Sequence, residues 1–152
     1  MNTFEVDKFL KKYKWIKNSY CGVLPIDKLP LKKIHKPCSF VINTDKSSKS
    51  GKHWFAIYAP VKGPIEYFDS YGLPPINPEI YRFFKENNNK WVYNTFPIQS
   101  YKSQSCGKFS ILFIAYRSKG LSMSDFLNLF NKDKDYNEKI INVLFYKLYK
   151  FI

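Results

Sequence analysis

The chain of 152 residues is 45% apolar and 24% charged, with a formal charge of +13. These proportions give one compact domain enough core to fold unaided, and they exclude a disordered chain or a short disulfide-stapled peptide. Lysines interleave with the aromatics so closely that no uncharged apolar run approaches the ~18 residues needed to span a bilayer, which excludes a transmembrane protein.

The opening MNTFEVDKFLKKYKW is amphipathic and lacks the uninterrupted apolar stretch of a signal peptide. Asn2 with Glu5 reads as a capping box, and Phe4, Phe9, Leu10 and Tyr13 follow helical spacing, which predicts a first helix over residues 3 to 15. The proline-rich GVLPIDKLPLKKIHKP reads as an irregular crossing loop. Three apolar runs follow, CSFVIN, HWFAIYAP and IEYFDSYG, with the rhythm of an antiparallel meander. Pro78 opens a helix at PEIYRFFKEN, the Asn87 to Asn89 cluster ends it, and KWVYNTFPIQ is a fourth strand. CGKFSILFIAYRSKG is apolar for three turns and stops at Gly120, as a buried helix with a glycine C-cap does. Two more helices are predicted near 123 to 131 and 136 to 151, the last with an apolar stripe of Ile140, Ile141, Leu144, Leu148 and Ile152. The expected architecture is a single α+β domain over residues 1 to 152, with a buried helix against a small mixed or antiparallel sheet.

Lysine supplies 23 of the 25 basic residues, a bias that A/T-rich coding produces in any protein of such a genome. What remains after that discount is uneven distribution: from Lys8 to Lys36 there are nine lysines against one acid, Asp27. Such a stretch, with Lys11, Lys12, Lys32 and Lys33 at its densest points, either attracts the phosphates of DNA without reading sequence or is a solvated basic face. The three scattered cysteines, Cys21, Cys38 and Cys106, suit free thiols in a reducing compartment, and His35-x-x-Cys38 has no second pair to complete a zinc site, so no metal is expected.

Chemistry points to Cys106, followed by Gly107 at the start of the buried helix. The partial positive charge of a helix N-terminus favours a thiolate there. Of two histidines, His53 opens an apolar strand and is the better placed imidazole, while His35 lies in a lysine-rich loop. Asp69, 16 residues on, can hold the imidazole in its useful tautomer, with Glu66 the competing carboxylate. Gln99, seven positions before the cysteine, can join the Cys106 N–H in an oxyanion hole, and Gln104 is the nearer but less free alternative.

This arrangement resembles the adenain family of adenovirus-type cysteine proteases and, more distantly, the SUMO-specific proteases built on the same catalytic fold. The motifs that carry the resemblance lie between residues 20 and 117: Tyr20, Gly22, Asp27, Lys28 and Pro30; CSFVINT; Gly51, His53 and Trp54; Phe68, Asp69, Ser70, Tyr71 and Gly72; and Gln99, Cys106, Gly107 and Phe109. The resemblance implies a papain-like, adenain-like fold with Cys106 as nucleophile, His53 as base, Asp69 as orienting acid where adenain has Glu, and Gln99 as oxyanion donor. Trp54, Asp27, Gly51 and Gly107, from the same motifs, become candidates to line the substrate. It further implies a maturation protease that cuts viral capsid and core precursors after Gly, in the virion and the host cell interior. Its chemistry requires no cofactor, although adenain is stimulated by DNA and docks an activating peptide. The alternatives are a ubiquitin-like isopeptidase on the same fold, an acyltransferase using the same triad, and a noncatalytic basic module that binds nucleic acid.

Overall fold

A computed structural model describes residues 1–49, 52–87 and 90–150. Five strands form one mixed sheet in the order β1-β2-β3-β4-β5: β1 (Tyr20–Pro25), β2 (Cys38–Asn43), β3 (Trp54–Ala59), β4 (Ile65–Phe68) and β5 (Trp91–Tyr93). The expected meander is present, since β2 pairs with β3 and β3 with β4 antiparallel, whereas β1 and β5 flank it in parallel. Every residue of β2 and β3 is buried, because the sheet is covered on both faces. Side-chain alternation sorts them. Val41, Trp54, Ala56, Tyr58 and Phe68 pack with the helix α4 (Cys106–Ser118), while Phe40, Ile42, Phe55, Ile57 and Tyr67 pack with Ile80, Phe83 and Phe84 of α3 (Pro78–Glu86).

The helix α4 fills the first core with Phe109, Ile111, Leu112, Phe113 and Ile114, all buried. Its end follows the glycine signal: Gly120 takes φ +87°, its N–H donates to Arg117 O, and the Leu121 N–H donates to Tyr116 O, the paired bonds of a Schellman cap. Around α4 sit α1 (Thr3–Lys11), α2 (Lys14–Lys17), α5 (Met123–Leu127) and α6 (Lys134–Lys150). None of the described helices is long and apolar enough to cross a membrane.

Four expectations are corrected. The first helix breaks at Tyr13, whose backbone is extended (ψ 120°) while its ring is buried against Phe9 and Trp15 and its hydroxyl donates to Leu148 O of α6. The crossing loop contains β1, which the prolines disguise; as an edge strand β1 tolerates Pro25 at its end. The fourth strand pairs only over Trp91–Tyr93, because Asn94 turns its carboxamide onto the Asp69 backbone instead of extending the ladder. Finally, Cys21 and Cys38 are joined in a disulfide rather than free. The parallel pairing of β1 with β2, irregular between Tyr20 and Gly22, brings their Cα atoms to 5.9 Å, within bonding range. Cysteine usage therefore no longer argues for a reducing compartment, and Cys106 is the free thiol. Ile152 of the apolar stripe and Asn88 and Asn89 of the helix-ending cluster lie outside the described residues.

Candidate active site

The hairpin register builds the acid–base pair. Ala56 lies opposite Phe68 and Ile57 opposite Tyr67, so the same register continued past the strand ends sets His53 opposite Tyr71, with Asp69 two residues before it on the same side. His53 is anchored by the bond from Thr44 N–H to its carbonyl (3.0 Å), and its Nε2 lies 2.9 Å from Asp69 Oδ2. The Tyr71 ring stacks on the imidazole at 4.9 Å between centroids. Glu66 is no rival, because its carboxylate is taken by Arg117 of α4 at 2.6 Å. His35 is exposed in its loop.

Asp69 is held from several sides. Its Oδ1 accepts the Tyr71 N–H (2.8 Å), and the carboxamide of buried Asn94 accepts from its N–H and donates to its carbonyl. A turn follows, closed by the Gly72 N–H to Asp69 O bond of 2.8 Å. Gly72 is required there: its φ is +67°, and a Cβ would lie 2.4 Å from the backbone carbon of Phe96. That close approach lays the turn against Ile98 and Gln99, whose N–H groups both donate to Ser70 O.

Cys106 begins α4 and is 7% exposed, and its thiol is close enough to the His53 ring to favour the charged imidazole. Burial works against a charge on His53, but the bond to Asp69 and the negative charges of Asp69 and Cys106 outweigh it and raise the imidazole from 6.5 to about 9. Since Nε2 is engaged by Asp69, Nδ1 is the nitrogen left to exchange a proton with sulfur. The N-cap Ser105 makes no side-chain cap, which leaves the first amides of α4 without that acceptor. Gln99 is wholly buried and Gln104 exposed. The Gln99 amide nitrogen donates to Ser103 Oγ (2.9 Å) and Ser103 O (3.2 Å) and sits 3.3 Å from the Tyr71 hydroxyl, while its oxygen accepts from Ser70 Oγ.

No family model matches the chain. The SUMO-1 cysteine protease of African swine fever virus is 31% identical to it over 118 residues, which is 68% of this chain and 43% of that protein. The crystal structure of the pS273R protease of the same virus matches with a TM-score of 0.66 over 92% of this chain and 65% of that one, at 19% identity. The SUMO protease Ulp1 matches with a TM-score of 0.52 over 97% of this chain and 78% of that one, at 14% identity. The chain has the Ulp1-type cysteine protease fold. Its curated relatives are viral cysteine proteases, of whose length it spans less than half. The likeness is to SUMO-protease-like proteins and does not single out adenain.

Within this Ulp1-type fold the remaining candidates are dispersed. Trp54 is buried beside Gly107, where an added Cβ would lie 3.5 Å from its Cδ1 and 3.6 Å from Met1 Sδ, so Gly107 is covered by these two side chains rather than bare toward a ligand. The Asp27 carboxylate accepts from Ser47 N–H (2.8 Å) and Ser47 Oγ (2.7 Å), bonds that hold it below the usual carboxylate range, and it braces that loop instead of the thiol. Gly51 lies outside the described residues. Lys11 and Lys12 end α1 on the α4 face of the sheet, whereas Lys32 and Lys33 belong to the loop whose Leu29 and Ile34 pack in the α3 core, so the four form no single stripe. Sequence reasoning missed Asn94 and gave no role to Ser70 and Tyr71, which it held only as members of the Phe68 to Gly72 motif. Only Tyr71 carried a usable signal, its place opposite His53 in the hairpin.

Proposed function

We propose that the chain is a cysteine endopeptidase of the viral Ulp1-type class, with Cys106 as nucleophile, His53 as base and acid, Asp69 as orienting carboxylate, and the Cys106 N–H with the Gln99 amide as oxyanion donors. The observation that carries this reading is the imidazole held by Asp69 at 2.9 Å beside a free thiol at an uncapped helix start. The Cys106 thiol passes its proton to His53 as its sulfur attacks the scissile carbonyl carbon, and the C=O electron pair moves to oxygen, where the donors receive it. The imidazolium of His53 then gives its proton to the leaving amine as the C–N bond breaks. In the second half His53 takes a proton from water, whose oxygen attacks the thioester, and Cys106 is released. Neither half requires a cofactor.

The substrate reading is a capsid or core precursor cut after Gly, in the virion or the infected cell, and it rests on the motif resemblance. The tests are incubation with structural proteins encoded in the same genome and mass mapping of new termini, with Cys106→Ala as the inactive control. New termini after Gly that depend on Cys106 support it. A second reading, hydrolysis of a SUMO-like Gly-Gly conjugate, is favoured by the Ulp1-type fold, one of whose structures is a complex with the yeast orthologue of SUMO. Release of that modifier without precursor cleavage would replace the first.

A further inference from the structure

The helix α6 follows the nucleophile helix and carries none of the residues that the sequence ties to chemistry, yet its first turns reach the oxyanion side of the site. Asn137, wholly buried, donates from Nδ2 to Ile98 O (3.0 Å), fixing the backbone just before Gln99. Its neighbour Glu138 spreads its carboxylate over the loop leading to Cys106. Oε1 accepts from Ser103 Oγ at 2.7 Å and lies 3.4 Å from the Ser100 N–H, and Oε2 accepts from Ser105 Oγ at 2.7 Å.

A carboxylate only accepts, so both serine hydroxyl protons point to Glu138. Ser103 Oγ is thereby left with lone pairs toward Gln99, 2.9 Å away, and takes an N–H from it. On the other side Ser70 Oγ donates to Gln99 Oε1. The bonds from Glu138 through the Ser103 hydroxyl, together with the Ser103 carbonyl at 3.2 Å, thus set the nitrogen end of the Gln99 carboxamide toward residue 103 and hold it there. The shortest N–H bond goes to Ser103 Oγ. What remains is shared between Ser103 O at 3.2 Å and the Tyr71 hydroxyl at 3.3 Å, long contacts that a developing oxyanion can displace. The Ser105 hydroxyl, the usual acceptor at an N-cap, is turned to Glu138, which keeps the α4 amides open.

We infer that Glu138 is a positioning residue that sets the polarity of the Gln99 amide and withholds the Ser105 cap, so that both oxyanion donors are ready before substrate binds. This rests on the protease reading above and deepens it. Removing one oxyanion donor outright costs ~10²- to 10³-fold in kcat, so misorienting donors that remain present should cost ~10- to 10²-fold.

The test compares Glu138→Ala, Glu138→Gln and Asp135→Asn, the last an exposed α6 charge bonded to nothing in the loop through its side chain. Glu138→Ala should lower kcat ~10- to 10²-fold at nearly unchanged KM, Glu138→Gln should recover part of it through one retained acceptor, and Asp135→Asn should match the parent. In the Gln99→Ala background, Glu138→Ala should cost less than it does alone, because one of its two targets is gone. Amide hydrogen exchange over residues 100 to 106 provides a readout independent of turnover and should quicken in Glu138→Ala. Unchanged kcat, a loss appearing only in KM, full additivity with Gln99→Ala, or unchanged exchange would each overturn the inference. Should the parent and Cys106→Ala both cleave nothing, the protease reading falls, and exchange over the loop then decides by itself whether Glu138 holds it.

Discussion

Replacing Asp69 by Asn removes one negative charge from the His53 imidazole while keeping the side chain's shape and an acceptor. In the folded protein the imidazole stands at about 9 against an ordinary 6.5, although burial alone pushes the other way. That rise corresponds to about 3 kcal/mol of preference for the imidazolium, on a side chain only 17% exposed, where solvent screens little of it. With Asp69 neutral, burial remains opposed only by Cys106, and the His53 titration should fall by roughly two pH units. Proton NMR of the imidazole reads this directly, with His35→Asn removing the other histidine and Cys106 kept intact in every variant. Two consequences follow for function and stability. Activity should lose its high-pH limb near pH 9 in the parent and nearer neutrality in Asp69→Asn, with kcat lower by ~10²-fold or more because the tautomer is no longer enforced. Folded His53 also holds its proton more tightly than the unfolded side chain. Its stabilisation is therefore complete below about pH 6.5 and lost as the pH climbs through about 9, a loss that urea unfolding should show in the parent and not in the variant. A parent imidazole that titrates near 6.5, or an Asp69→Asn imidazole that does not move, would refute the electrostatic account of the pair.

Gln99→Ala should lower kcat by ~10²- to 10³-fold with KM little changed, and exposed Gln104→Ala should be nearly silent in the same peptide assay; the reverse would move the oxyanion donor. Gly72→Ala, which forces a Cβ to within 2.4 Å of the Phe96 backbone at φ +67°, should cost about 2–4 kcal/mol in thermal or urea unfolding and slow turnover by displacing Gln99. Iodoacetamide without reductant should mark Cys106 and spare the bonded Cys21 and Cys38, as peptide mass mapping would show. Since Lys11 and Lys12 lie on one side of the sheet and Lys32 and Lys33 on the other, a duplex can engage one pair at a time. Neutralising all four should therefore flatten the dependence of log K on log salt by about two rather than about four, as measured by titration at several salt concentrations.

The groups proposed to react are legible in the sequence because each belongs to a local pattern: a cysteine at a helix start, a histidine at the head of an apolar strand, an aspartate before a Tyr-Gly turn. Antiparallel pairing across a short connection then leaves little freedom in where His53 and Asp69 meet, since a register slip of one residue would take Phe55 and Ile57 out of the α3 core and part Glu66 from Arg117. What was not legible depends on long-range partners. Asn94 ends β5 by bonding Asp69, 25 residues away, and Glu138 reaches Ser103 and Ser105 from 35 and 33 residues downstream. No local periodicity marks an asparagine that will serve a distant backbone or a helical glutamate that will face a loop instead of solvent. The same reason hid β1, whose parallel pairing with β2 is a non-local event that its glycine and proline argue against locally. The split follows the chemistry: atoms that make and break bonds must sit on rigid element ends, which leave a trace in sequence spacing. The groups that orient those atoms can come from any part of the chain that packs nearby, and α6 is where this chain draws two of them.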